Sequence, residues 1–224
     1  MDDGFGGVIN KNINALTLAD NGLHEGIQAR YSAVRRPRSR ALGGNRLDGT
    51  NRRSEVDNAT VRNIKIVPIV EEYIGGIHRC FDSVARERRY LARLQAPPFE
   101  SAREFILSNI ANHAPQHVAL SGSDVVGWCD ISPMKCEGFT HCGTLGMGVR
   151  EDFRRLGIGT RLLEQTIREA REMGLERIEL EVFASNTAAI KLYEKAGFVV
   201  EGVKKNRRKL DGEYDDLVGM ALFT

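Results

Sequence analysis

A single layered α/β domain built on a mixed sheet is predicted by three features of the sequence. From about Val61 to the end, short apolar stretches of period two alternate with longer stretches of period 3.6. Two pairs of the period-two stretches are joined by tight-turn signals, at Gly122-Ser123 and at Asp211-Gly212. The resulting order is strand, two helices, three strands, helix, strand, helix and two strands, which calls for helices packed on one sheet.

Each element has a local reason. VRNIKIVPIV reads as a strand that ends near Pro68, and EEYIGGIHRCFDSVARE places Tyr73, Ile74, Ile77, Cys80, Phe81 and Val84 on one helical face. Pro97 and Pro98 break the chain. Ser101 with Glu104 forms a capping-box pattern, so the second helix is expected to start there, with Phe105, Ile106 and Ile110 as its stripe. HVALSG and DVVGWCDIS form a hairpin, and TLGMGV is the next strand. A helix from Gly157 to Met173 carries the stripe Ile158, Leu162, Leu163, Thr166, Ile167 and Ala170, and stops at Gly174. RIELEVF alternates, with Ile178, Leu180 and Val182 on one face and Glu179, Glu181 and Phe183 on the other. NTAAIKLYEKAGF reads as a short helix capped by Asn186, with Ala188, Ala189, Leu192, Tyr193 and Ala196 facing inward. Two strands joined by a type I′ turn close the domain.

Residues 1–60 differ in texture. Apolar periodicity is absent, and the stretch from Arg30 to Arg53 holds Arg30, Arg35, Arg36, Arg38, Arg40, Arg46, Arg52 and Arg53 against Asp48 alone. Such composition buries too little apolar surface to offset the entropy of ordering, so a flexible basic extension is expected. A plain solvated tail, or an over-extended start site, is the leading reading and an RNA- or membrane-binding arm the alternative. For the whole chain of 224 residues, 32 Lys and Arg against 30 Asp and Glu leave a net charge of +2, too small to make nucleic acid the main partner. No apolar run is long enough for a membrane helix, and the start resembles neither a signal nor a transit peptide. A cytoplasmic protein with no membrane partner is the default expectation. Cys80, Cys129, Cys136 and Cys142 lack disulfide-scaffold spacing and read as reduced thiols.

The sharpest local signal is Arg-Arg-Leu-Gly-Ile-Gly, Arg154 to Gly159, between a strand and a well-patterned helix. Glycines at a helix start leave backbone N–H groups unpaired and unobstructed, and the helix dipole adds positive potential there. The site suits a phosphate. It is not the dinucleotide fingerprint, because Leu162 stands where the third glycine belongs, and no Gly-Lys-Ser/Thr follows as in a P-loop.

This turn, its helix, the strand Leu-Glu-Val and then N-x-x-A-x-x-L-Y-E-K-x-G-F together resemble the GNAT superfamily of acyl-CoA-dependent N-acetyltransferases. The likeness spans about Val61 to Phe223 in element order and is specific between Leu145 and Phe198. It implies a mixed, mostly antiparallel sheet flanked by helices, acetyl-CoA as co-substrate and no metal. It implies that Arg154, Arg155, Leu156, Gly157, Ile158, Gly159 and Thr160 cradle the pyrophosphate. Met147, Gly148 and Val149 then form the strand edge for the pantetheine arm, with Gly146 and Gly148 leaving room for close approach. Asn186 contacts the cofactor arm, although an N-cap role explains it equally. By the same resemblance Tyr193 is the general acid and Glu181 the base, with Glu179 fitting the same description on the bare sequence, and a backbone N–H of Met147 or Val149 polarises the thioester.

The activity so implied is direct transfer of an acetyl group to a primary amine of a small molecule, an amino acid or amine, in a ternary complex. A protein N-terminal acetyltransferase of the ribosomal-protein type and a non-catalytic acyl-CoA-binding regulatory module stay open. Members of the superfamily often dimerise, so a homodimer is among the expected states. Trp128, Asp130, Phe139 and His141 fall where the family's acceptor site often lies. Cys136, His141 and Cys142, with His113 and His117, match no closed zinc spacing, and nothing marks Cys142 as an activated nucleophile. Lys204, Lys205, Arg207, Arg208 and Lys209 read as a charged edge strand.

Overall fold

A computed structural model describes residues 63–224, and the extension expected over residues 1–60 lies outside them. The elements are β1 (Ile64–Pro68), α1 (Ile74–Arg86), α2 (Phe99–Ala111), β2 (Gln116–Ser121), β3 (Asp124–Pro133), β4 (Cys142–Val149), α3 (Ile158–Glu172), β5 (Arg177–Phe183), α4 (Thr187–Lys195), β6 (Val199–Leu210) and β7 (Glu213–Phe223). The strands form one seven-stranded sheet in the order β1-β2-β3-β4-β5-β7-β6. Every neighbouring pair is antiparallel except β4 and β5, which run parallel.

The sheet is covered on both faces. Ile158, Leu162, Leu163 and Ile167 of α3 and Ile190 and Tyr193 of α4 pack with Ile131, Leu145, Ile178, Leu180, Val182, Val218 and Met220. On the other face, Ile74, Ile77, Cys80 and Val84 of α1 and Ile106 of α2 pack with Val118, Leu120, Val125 and Trp128. Each fully buried aliphatic side chain contributes about 1.5–3 kcal/mol, so the two layers hold the sheet rigid from both sides.

Two local expectations are corrected. The helix α2 starts at Phe99 with Pro98 as its N-cap and no side-chain cap, so Ser101 and Glu104 sit inside the helix, in its first and second turns, and form no capping box. Its first bond, Ala102 N–H to the Pro98 carbonyl at 3.1 Å, shows the helix beginning directly at the proline break. In α4 the buried residues are Ile190 and Tyr193, while Ala188 is exposed. A nine-residue helix has too few turns for its apolar spacing to fix the phase.

Beneath α3 lies a buried polar link. The Thr166 hydroxyl donates to the Leu162 carbonyl at 2.8 Å, and His117 Nδ1 lies 3.1 Å from the same hydroxyl oxygen. With the hydroxyl proton committed to Leu162, Nδ1–H of His117 is the donor in this contact. Burial, with Arg168 adding to it, pushes the His117 pKa down to about 4 from 6.5. The folded chain keeps the ring neutral while the unfolded chain takes a proton below pH 6.5. The stability from the neutral ring is therefore present above pH 6.5 and lost as pH falls toward 4, reduced by the Glu169 carboxylate 3.5 Å from His117 Nε2, which favours the charged ring. Thermal melts between pH 7.5 and 5 should show Tm falling through this window in the native chain and a flatter profile in His117→Gln. Identical profiles would remove His117 as the source.

Candidate active site

The parting of β4 from β5 organises the site. The two strands pair only through Cys142↔Arg177, Gly143↔Ile178 and Thr144↔Glu179. Beyond those pairs β4 runs on to Val149 and β5 to Phe183, without pairing to each other. On its other side β4 stays paired to β3 along its length, from Pro133↔Gly143 to Gly127↔Val149. One edge of β4 from Leu145 to Val149 thus presents backbone groups to a gap, as a strand edge awaiting an extended partner does.

The glycine turn stands at the end of that gap. In the first helix bond of α3 Arg161 N–H donates to the Gly157 carbonyl at 3.1 Å, and no side chain caps the helix. The N–H groups of Gly157, Ile158, Gly159 and Thr160 therefore have no intrahelical acceptor, and the positive end of the helix dipole lies among them. Gly157 has φ +75°, and a Cβ built on it would meet nothing within 4 Å. A Cβ on Gly159 would lie 3.3 Å from Leu192 Cδ2 and 3.6 Å from Met147 Cε. Gly159 thereby lets the helix start, β4 and α4 converge, while Gly157 keeps open space above the bare N–H groups. Ile158 is buried and Leu156 packs partly against the core, so both anchor the turn through their side chains.

The two arginines divide. Arg154 donates from Nε to the Val149 carbonyl at 2.8 Å, grips Glu87 with both terminal nitrogens at 2.7 and 2.5 Å, and lies over the Tyr90 ring at 4.5 Å. It bolts the turn to the end of α1. Arg155 is exposed, in left-handed backbone at φ +64°, and makes no ion pair among the described residues, so its charge is available at the helix start. Neither Glu87 nor Tyr90 carries a sequence signal for this role, because the pairing closes over 67 residues.

Tyr193 is buried on the α3 and α4 side, its ring 5.7 Å from that of Phe198. Burial pushes the Tyr193 hydroxyl pKa up. Asn186 accepts from Ala189 N–H at 3.2 Å and is the N-cap of α4. Glu181 points to the opposite face of the sheet, where Lys204 of β6 pairs with it at 2.5 Å. Tyr193 and Glu181 thus lie on opposite faces of the sheet. Glu179, two residues back on the same face, is held by Arg177 at 3.2 Å.

Gly148 has a different reason from the one expected. It pairs with Trp128, and a Cβ on it would overlap the indole ring. The space is already taken by the tryptophan, which Phe81 covers at 5.4 Å. Burial pushes the Cys142 thiol pKa up, opposite to what a nucleophile needs. Among the described residues no group of His, Cys, Asp and Glu is arranged to hold a metal ion, and no helix is long and apolar enough to cross a membrane.

Residues 80–198, just over half of the chain, match the model of the acetyltransferase (GNAT) family. The chain belongs to that family. It is 35% identical over 107 residues to an L-amino acid N-acetyltransferase of Escherichia coli, covering 47% of this chain and 66% of that protein. It is 41% identical over 76 residues to the ribosomal protein bS18-alanine N-acetyltransferase of Salmonella typhimurium, covering 34% of this chain and 51% of that one. The aligned stretches thus span between half and two thirds of these relatives' lengths. Among solved structures, a ribosomal-protein-alanine N-acetyltransferase from Brucella melitensis superposes with a TM-score of 0.66 at 25% identity, over 71% of this chain and 99% of that one. The matched GNAT region contains α2 to α4, hence the whole gap and the glycine turn.

The packing at Gly148 makes a direct prediction for this GNAT domain. Gly148→Ala should destabilise the fold by about 1–3 kcal/mol through overpacking, and Trp128→Phe in the same chain should recover part of the loss. Chemical denaturation of the three variants checks it, and an unaltered midpoint for Gly148→Ala would contradict the packing.

Proposed function

We propose that the chain is an N-acetyltransferase that passes the acetyl group of acetyl-CoA directly to a primary amine of a small molecule, with both substrates bound together. The observation that carries this reading is the uncapped start of α3, Gly157 to Thr160, opening beside the unpaired edge of β4. The bare N–H groups suit a pyrophosphate, and a strand edge suits an extended amide-bearing arm. When bound, acetyl-CoA supplies an acetyl group activated as a thioester.

The chain's own groups then have separate tasks. N–H groups of the helix start, with Arg155, hold phosphate charge. A backbone N–H of Met147 or Val149 polarises the acyl carbonyl from the β4 edge. Tyr193 keeps its proton at neutral pH because of burial, the state a general acid requires. Glu181 takes the acceptor's proton from the other face, with Lys204 beside it. The kinship with an L-amino acid acetyltransferase supports a small acceptor. The kinship with two ribosomal-protein-alanine acetyltransferases supports a second reading, an alanine amino terminus as acceptor.

Two experiments test this reading. Tyr193→Phe should lower kcat by roughly 100-fold and leave acetyl-CoA affinity nearly unchanged, measured by CoA release and calorimetry; unaltered turnover would remove Tyr193 as the acid. Gly157→Val should weaken acetyl-CoA binding at least about tenfold, whereas Gly174→Val, with a similar φ of +88° and equally open space at the far end of α3, should not. Equal losses in both would trace the effect to backbone strain instead of the phosphate cradle.

A further inference from the structure

The buried polar residues of the domain separate into two groups. His117 and Thr166 lie under α3, as described, whereas Asn109, Gln116 and Asp130 lie between α2 and the other face of the sheet. Asp130 is 7% exposed. Gln116 is its register partner on β2, and Ser132, two residues on, accepts from Asn109 at 3.4 Å. No Lys, Arg or His among the described residues forms an ion pair with Asp130, although charged side chains are almost never fully buried unless paired. Burial pushes its pKa up to about 7, against a smaller opposing effect of the Ser132 hydroxyl. Burial thus disfavours the ionised Asp130, and a cation brought against it would favour that form.

The registers place this group. Asp130 pairs with Gly146 and Ser132 with Thr144 across β3 and β4, and Thr144 pairs with Glu179 across β4 and β5. Beyond that pair β4 and β5 part, so Gly146 and Glu181 stand on the two sides of the gap, each two residues past the last pairing. Asp130 and Gly146 thus form a cross-strand pair on the face of the sheet that also carries Glu181, next to where β4 leaves β5. Asp130 and Gly146 are neighbours at strand spacing, and the glycine puts no side chain beside the Asp130 carboxyl on that face. Glu181 has Lys204 as counter-ion, and Asp130 has none.

We infer that Asp130 receives the ammonium of the acceptor above Gly146, and that the acceptor class is a primary amine with no carboxylate on the same carbon, an amide-linked amino terminus or a simple amine, in preference to a free amino acid. A carboxylate carried next to the amine would be brought against a buried like charge, which disfavours it. The inference rests on the N-acetyltransferase reading and narrows its acceptor.

Calorimetry on the CoA-loaded full chain tests it with L-alaninamide and L-alanine, which differ at the carboxyl alone. Alaninamide should bind at least tenfold more tightly than alanine. Asp130→Asn, which keeps the shape, should lose at least tenfold for alaninamide, remove most of the preference over alanine and hold CoA affinity within twofold. Equal or tighter binding of alanine by the native chain overturns the inference without any variant, and so does Asp130→Asn binding alaninamide as the native chain does. Failure of both amines to bind overturns it too, while the N-acetyltransferase reading falls separately, if acetyl-CoA itself does not bind the native chain.

Discussion

The shortness of the parallel pairing between β4 and β5 is the constraint on which the rest of the domain depends. Three residue pairs join the strands, and then they diverge. A longer ladder would close the sheet and satisfy the β4 edge internally. A shorter one would separate β1 to β4 from β5 to β7, since this pair is the joint between the two antiparallel parts of the sheet. The helices stabilise the compromise: α3 crosses from the end of β4 to the start of β5, and its buried stripe bridges Ile131 and Leu145 on one side to Ile178 and Leu180 on the other. The gap is thus a packed feature with fixed walls.

The glycine turn is placed by that geometry and tied down from outside it. Arg154 spends its donors on Val149 and Glu87, which fixes where α3 begins relative to β4 and α1. A partly buried, doubly hydrogen-bonded arginine pair is stronger than an exposed one, because water competes less for its donors. The neighbouring Arg155 is left free by the same arrangement. One member of a repeated pair is structural and the other is exposed without an ion pair among the described residues, a division that no inspection of Arg-Arg in the sequence reveals.

The order and type of every strand and α-helix in residues 63–224 were legible in the sequence, because periodicity records which face each element buries, whereas the short 3-10 turns at Glu71–Tyr73, Glu137–Phe139 and Glu151–Phe153 were not. Phase and boundaries were legible only where an element was long or well punctuated. In α3, with its fifteen residues, the predicted stripe of Ile158, Leu162, Leu163, Thr166, Ile167 and Ala170 is the buried one. In α4 Ala189, Leu192, Tyr193 and Ala196 pack on the core as expected, while Ala188 is exposed and Ile190, not expected there, is buried. The Ser101 and Glu104 pattern was overridden by a proline that starts the helix earlier. For the site, the bare helix start and the capping role of Asn186 follow from local chemistry. Contacts closed over long stretches of chain, such as Glu87 with Arg154, and the unpaired burial of Asp130 depend on tertiary packing and leave no mark in the spacing of residues.

The fit between Gly148 and Trp128 reaches beyond the site. Because the indole occupies the volume that any other side chain at 148 would need, the two positions form one steric choice. A chain of this fold with a larger residue at 148 has to carry a smaller one at 128, and with it a different packing for Phe81 and the end of α1. The face of the sheet opposite the phosphate turn can therefore be resculpted only by paired exchange, which sets a discrete rather than gradual path along which the floor of that face changes shape.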